Sequence, residues 1–195
     1  MNDSKSIGCI TRYVGNYYNY DLTHELSTAL RDSLSRGQLM SKLSAVKLIQ
    51  PFVEKVDAFF IGHWHGMLPM LFYEHGIIES ATGIELDPFW VEFSNKLNYY
   101  WDWKSSIGDA NTFTFPKTKL IVNTSCEHMS YAWMDSIIKG TIVCAQSTDY
   151  QHPTHINTVD SLDEFLEKWS DFSIIASNSN KYDVYSRFTI IAIKR

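Results

Sequence analysis

Val56–Asp57–Ala58–Phe59–Phe60–Ile61–Gly62–His63–Trp64–His65–Gly66 decides the reading of this chain. Ala58–Ile61 is continuously apolar, the pattern of a strand buried on both faces. The residues that follow form a loop bounded by Gly62 and Gly66, and glycines let backbone N–H groups come close to a ligand. Gly66–His75 then predicts a helix, with Pro69 tolerated in its first turn. Gly83–Ile84–Glu85–Leu86–Asp87, about 20 residues beyond the loop, predicts a second strand ending in a carboxylate.

The alternation continues downstream. Pro88–Leu97 predicts a helix opened by proline, and a weak third strand ends at Ile107–Gly108–Asp109–Ala110. Lys119–Val122 predicts strand 4, followed by the polar stretch Asn123–Thr124–Ser125–Cys126–Glu127–His128 and a helix over Met129–Ile138. Thr141–Ala145 predicts strand 5, and Ser161–Trp169 a helix capped by Asp160 or Ser161, with Glu164 completing a capping box. Phe172–Ser177 and Ser186–Lys194 predict two final strands, antiparallel because the turn-rich link between them is short.

Upstream, Tyr13, Tyr17, Tyr18 and Tyr20 lie in a polar stretch, so residues 1–20 are expected to form an irregular arm. Leu22, Leu26, Leu30 and Leu34 predict a helix capped by Asp21 or Thr23 and broken at Arg36–Gly37. Leu39, Leu43, Val46, Ile49 and Val53 predict a second helix. The expected organisation is a single structural unit, with an arm and helices over 1–50 packed on an α/β domain over 51–195.

Composition narrows the function classes. Across 195 residues, 45% hydrophobic and 20% charged content is that of a globular domain. No apolar stretch reaches the roughly 18 residues of a membrane span, and Met1–Ser6 lacks the pattern of an export signal. Cys9, Cys126 and Cys144 are too scattered for a disulfide framework, so a reducing cytoplasmic setting is expected. The net charge is −5, and residues beyond 50 carry eleven basic against eighteen acidic side chains. Extended nucleic-acid binding, which needs a basic footprint, is therefore not expected.

Five β/α units closed by an antiparallel hairpin, with a glycine loop after strand 1 and an acid after strand 2, resemble the class I S-adenosylmethionine-dependent methyltransferases. The resemblance covers roughly residues 38–195. It implies a Rossmann-like three-layer α/β/α sandwich, mostly parallel and seven-stranded, with S-adenosyl-L-methionine as cofactor. Gly62 and Gly66 match the ends of the family's Gly-x-Gly-x-Gly loop, and Trp64 departs from its centre. Glu85 matches the acid that holds the adenosyl ribose, and Gly108–Asp109–Ala110 matches the family's Gly-Asp-Ala at the adenine. The cofactor-binding set it implies is Gly62, His63, Trp64, Gly66, Glu85, Leu86, Asp109, Ala110 and Asn123. Gln38 and Lys42 are added at the methionine carboxylate.

Methyl transfer from a sulfonium is an in-line displacement in which the protein aligns the nucleophile and excludes water. A base is needed only for an acceptor protonated at working pH, and His65 and His128 are the candidates. Asn123 stands where some amino-methylating relatives hold the acceptor nitrogen. The Asn-Pro-Pro-Tyr signature of DNA amino-methylation is absent, as is the Pro-Cys setting that cytosine-C5 chemistry would need at Cys126. His63, His65, Cys126, His128, His152 and His155 are zinc-ligand types, but their spacing fits no closed zinc pattern and no metal is expected. Tyr99, Tyr100, Trp101 and Trp103 are expected to pack rather than bind. The acceptor implied is a small N or O nucleophile. A lyase or non-methyl transferase, or a non-catalytic subunit of the same fold, is the alternative.

Overall fold

The computed structural model describes residues 3–21 and 23–195. Leu22, one of the helix positions anticipated above, lies outside the described residues, as do Met1 and Asn2.

Helices α1 (Asp3–Tyr18), α2 (His24–Ser33) and α3 (Arg36–Ile49) lead into strand β1 (Val56–Ile61), α4 (Met67–Glu74), β2 (Ile78–Glu85), α5 (Pro88–Leu97) and β3 (Asp102–Ile107). β4 (Leu120–Asn123) and β5 (Ile142–Thr148) follow, then α6 (Leu162–Glu167), β6 (Phe172–Lys181) and β7 (Ser186–Lys194). The seven strands form one sheet in the order β3-β2-β1-β4-β5-β7-β6. β1 to β5 run parallel, and β7 enters antiparallel between β5 and β6.

Side chains alternate across a strand, and here both faces are buried. Ala58 and Phe60 join one apolar cluster with Leu120, Val122 and Cys144, while Phe59 and Ile61 join another with Ile121, Val143 and Ala145. That double burial is why Ala58–Ile61, Leu120–Val122 and Ile142–Ala145 are apolar without interruption. No helix among the described residues is long and apolar enough to cross a membrane.

Three expectations are corrected. The arm over residues 1–20 is instead the helix α1, packed on α4 and α5. Ser6, Cys9, Tyr13 and Tyr17 share its buried face at helical spacing, so the tyrosines serve the core rather than an arm.

The α-helix expected over Met129–Ile138 is replaced by 3-10 turns at Cys126–His128 and Tyr131–Ser136. Ser136 Oγ bonds Trp133 O and Phe113 O there, local bonding that competes with a continuing helix. With no helix between β3 and β4 either, the regular run of five β/α units becomes α-helices after β1, β2 and β5 only.

The break before α3 falls at Leu34–Ser35, where Ser35 Oγ caps Gln38 N, rather than at Arg36–Gly37. Gly37 is inside α3, and a Cβ there would run into the Tyr185 hydroxyl of the β6–β7 hairpin.

Candidate active site

The carboxyl ends of β1, β2, β4 and β5 open on a cavity of about 880 Å³. It sits where the strand order turns from β1 to β4, the position at which open α/β sheets bind ligands. α3 closes one side with Gln38 and Lys42, and the β6–β7 hairpin closes another with Val184, Tyr185 and Arg187.

The loop after β1 turns through three left-handed residues, Gly62 at φ +58°, Trp64 at +53° and Gly66 at +82°. Trp64 is the costly one, because a bulky residue with positive φ is a backbone outlier. The resembling family's central glycine would take this conformation without cost. Glu85 holds the turn in place: its Oε2 accepts from Trp64 N at 2.9 Å and its Oε1 from Leu86 N at 2.8 Å. The indole packs on His65 and Trp90, and Trp64 lines the cavity with the rest of the loop.

The flanking histidines are tied into the packing. His63 Nε2 meets Ser105 Oγ at 2.5 Å and Nδ1 meets Trp64 O at 2.8 Å, so its ring joins the end of β1 to β3. It crosses β2 at Gly83, where a Cβ would sit 2.8 Å from the His63 ring. Burial pushes His63 down to about 4. His65 Nδ1 meets the Tyr13 hydroxyl at 2.6 Å, and burial holds this ring well below the ordinary histidine range.

Lys42 Nζ donates to Gln38 Oε1 at 2.9 Å on the cavity wall. Burial, reinforced by Arg187, pushes the Lys42 ammonium down to about 7. Asp109 is exposed and its Oδ1 accepts from Asn111 N at 2.9 Å. Leu86, Asp109 and Ala110 line the cavity beside Glu85.

Solved structures with this architecture include the N-methyltransferase NodS from Bradyrhizobium japonicum WM9. Its TM-score is 0.65 at 9% identity, over 83% of this chain and 98% of NodS. TehB from Haemophilus influenzae scores 0.62 at 14% identity over 78% of this chain, which spans 62% of TehB. The [4+2]-cyclase SpnF scores 0.60 at 12% identity, with 80% of each chain covered. No protein-family profile and no curated protein matches the sequence. The chain has the class I methyltransferase fold.

The polar segment after β4 divides in two. Asn123 is fully buried and off the cavity wall: its Oδ1 accepts from Ser125 N at 3.0 Å and its Nδ2 faces Met129 Sδ at 3.3 Å. Cys126 also points inward, with burial holding its thiol well above the usual range. Ser125, Glu127, His128 and Met129 face the cavity.

Arg187 crosses from β7 to form a buried pair with Glu127 at 2.5 Å. The sequence signal for Arg187 was a lone charge opening an apolar strand; Tyr150 and Tyr185, also on the wall, carried none. The zinc-type residues noted above separate: His63 and His65 are buried at the loop edge of the cavity and Cys126 in the core, while His128 and His155 meet at ring centroids 4.6 Å apart.

Proposed function

We propose that this protein is an S-adenosylmethionine-dependent methyltransferase acting on an N or O nucleophile of a small acceptor. The observation that carries the reading is Glu85, fixed by two loop amides at the edge of the cavity. A carboxylate has about four acceptor positions. Two backbone donors therefore leave one free on each oxygen, the number a ribose diol needs.

In this reading Gly62–Gly66 approach the amino-acid end of the cofactor, and Lys42 with Gln38 meets its carboxylate. Leu86, Asp109 and Ala110 border the adenine. About 880 Å³ is room for the cofactor beside a modest acceptor. NodS, an N-methyltransferase of the same fold, has been solved with S-adenosyl-L-homocysteine, which supports the cofactor assignment.

The acceptor enters between His128, Tyr150, His155 and Tyr185, which line the other half of the cavity. His128 is the acceptor-side residue of the catalytic set. His65 and Asn123 act as positioning residues, one bonding α1 to the loop and the other shaping the turn after β4. The cofactor brings its own leaving-group activation, so alignment and exclusion of water are what remain for the chain to supply. A cytoplasmic setting is proposed with this activity.

SpnF shows that the fold also carries other chemistry, so the reaction has to be measured. Equilibrium dialysis with labelled S-adenosylmethionine is expected to give one bound molecule per chain, displaced by S-adenosylhomocysteine. Incubation with pooled small metabolites is expected to release S-adenosylhomocysteine. Release of methylthioadenosine would identify a lyase or another transferase, and binding without any product would identify a non-catalytic subunit.

A further inference from the structure

The acceptor half of the cavity holds side chains that methyl alignment alone does not require. Glu127 and His128 are consecutive in the turn after β4, and His155 lies in the loop after β5. One donor atom from each lies within 4.8 Å of the other two. The two segments are fastened together: Ile156 N and Asn157 N donate to Glu127 O at 2.9 and 3.0 Å, and Asn157 Nδ2 donates to Met129 O at 3.1 Å.

The hydrogen bonds also set the tautomers. His128 Nδ1 bonds Thr154 O at 3.2 Å, and His155 Nδ1 bonds Tyr150 O at 2.6 Å. A carbonyl oxygen only accepts, so each ring carries its proton on Nδ1 and leaves the Nε2 lone pair available. Backbone carbonyls orient metal-binding histidines in the same way. His152 is set oppositely, since its Nδ1 accepts from Thr154 N at 3.3 Å. The third donor is Glu127. Its Oε1 accepts from Arg187, and its buried Oε2 has no hydrogen-bond partner among the described residues. Two imidazole nitrogens and one carboxylate oxygen suit zinc and its neighbours in the first transition row.

We propose that Glu127, His128 and His155 bind a divalent transition-metal cation of the zinc class, which takes a hydroxyl oxygen of the acceptor in an open coordination position. The metal site stands on the geometry of these residues, and its use in catalysis rests on the methyltransferase reading. A bound cation lowers the pKa of a coordinated oxygen acid, so the hydroxyl releases its proton to solvent near neutral pH. The resulting oxygen anion bonds the methyl carbon as the sulfur–carbon bond breaks. The electron pair of that bond stays on sulfur, leaving a neutral thioether.

The test is calorimetric titration of the chelator-stripped full chain with Zn²⁺ alone, and with Co²⁺ as a spectroscopic probe. One equivalent is expected to bind the wild type, with visible Co²⁺ bands of a nitrogen/oxygen site. H155A and H128A are each expected to weaken binding by about 100-fold or more, the upper end of losses at supporting residues, while H152A retains it. S-adenosylhomocysteine titrated into the same variants checks that each one folds. No stoichiometric metal binding to the wild type, or equal binding by a folded H155A chain, overturns the site. If metal binding fails while S-adenosylhomocysteine binds, the methyltransferase reading survives without the metal. The opposite result keeps the site and removes that reading.

Discussion

Gly83 is where two side chains leave no room for a third atom. A Cβ there would meet the His63 ring at 2.8 Å, Trp103 at 2.9 Å and the Phe60 carbonyl at 3.0 Å. Gly83→Ala is therefore expected to destabilise the chain by roughly 1–3 kcal/mol, the range for overpacking a full core. Urea unfolding measures it, and a change under about 0.5 kcal/mol, the scatter of surface substitutions, would mean that His63 is not wedged across β2. His63 itself gives a pH signature. Its ordinary value of 6.5 falls to about 4 in the folded chain, so between those pH values the unfolded chain holds the proton and the folded chain does not. Its contribution is complete above 6.5 and drains as pH falls, by about 3 kcal/mol at pH 4. Folded His63→Gln should lack that part of the acid sensitivity, and equal acid curves for variant and wild type would contradict the burial. The sequence placed His63 and His65 at the ligand because they sit in the loop. Both do line the cavity, but their rings are also tied to Tyr13 and Ser105, far away in sequence, and no local pattern reveals such partners.

Helix α1 shows how composition misleads at the scale of an element. The polar, tyrosine- and asparagine-rich character of residues 1–20 suggested an irregular arm, yet Cys9, Tyr13 and Tyr17 repeat at helical spacing on a helix that packs on α4 and α5. Tyr17 is fully buried and its neighbour Tyr18 is 66% exposed. Tyr17→Ala is expected to cost about 3–5 kcal/mol and Tyr18→Ala under about 0.5 kcal/mol. Thermal or urea unfolding of the pair decides it, since equal effects would return this segment to an irregular arm. The elements read best from sequence were those with unambiguous ends. Pro88–Leu97 agrees at both boundaries, because Asp87 caps Phe89 N and proline occupies the first turn. The segment after β4 was misread as an α-helix. Its apolar positions suit a helix, but serine hydroxyls bond the backbone locally and stop it at 3-10 turns.

At the scale of the molecule, the β/α order was legible because double-faced burial writes itself as apolar runs, and the last two strands had a short enough link to force antiparallel pairing. The half of the cavity proposed for the cofactor is bordered by the loop glycines and strand-end acid that the sequence displays, and the half proposed for the acceptor has no such local mark. It is assembled from the turn after β4, the loop after β5 and the far hairpin, so Glu127 meets Arg187 and His128 meets His155 only once the sheet has closed. The methyltransferase reading stands or falls on Glu85, and calorimetric titration of S-adenosylhomocysteine into the wild type, Glu85→Gln and Glu85→Ala tests it. Glu85→Gln keeps an oxygen for one loop amide but loses the charge and the second acceptor oxygen. Micromolar binding to the wild type, weakened at least about tenfold (some 1.4 kcal/mol) in folded Glu85→Gln and abolished in Glu85→Ala, is the predicted outcome. No binding to the wild type, or binding unchanged in both variants, would contradict it.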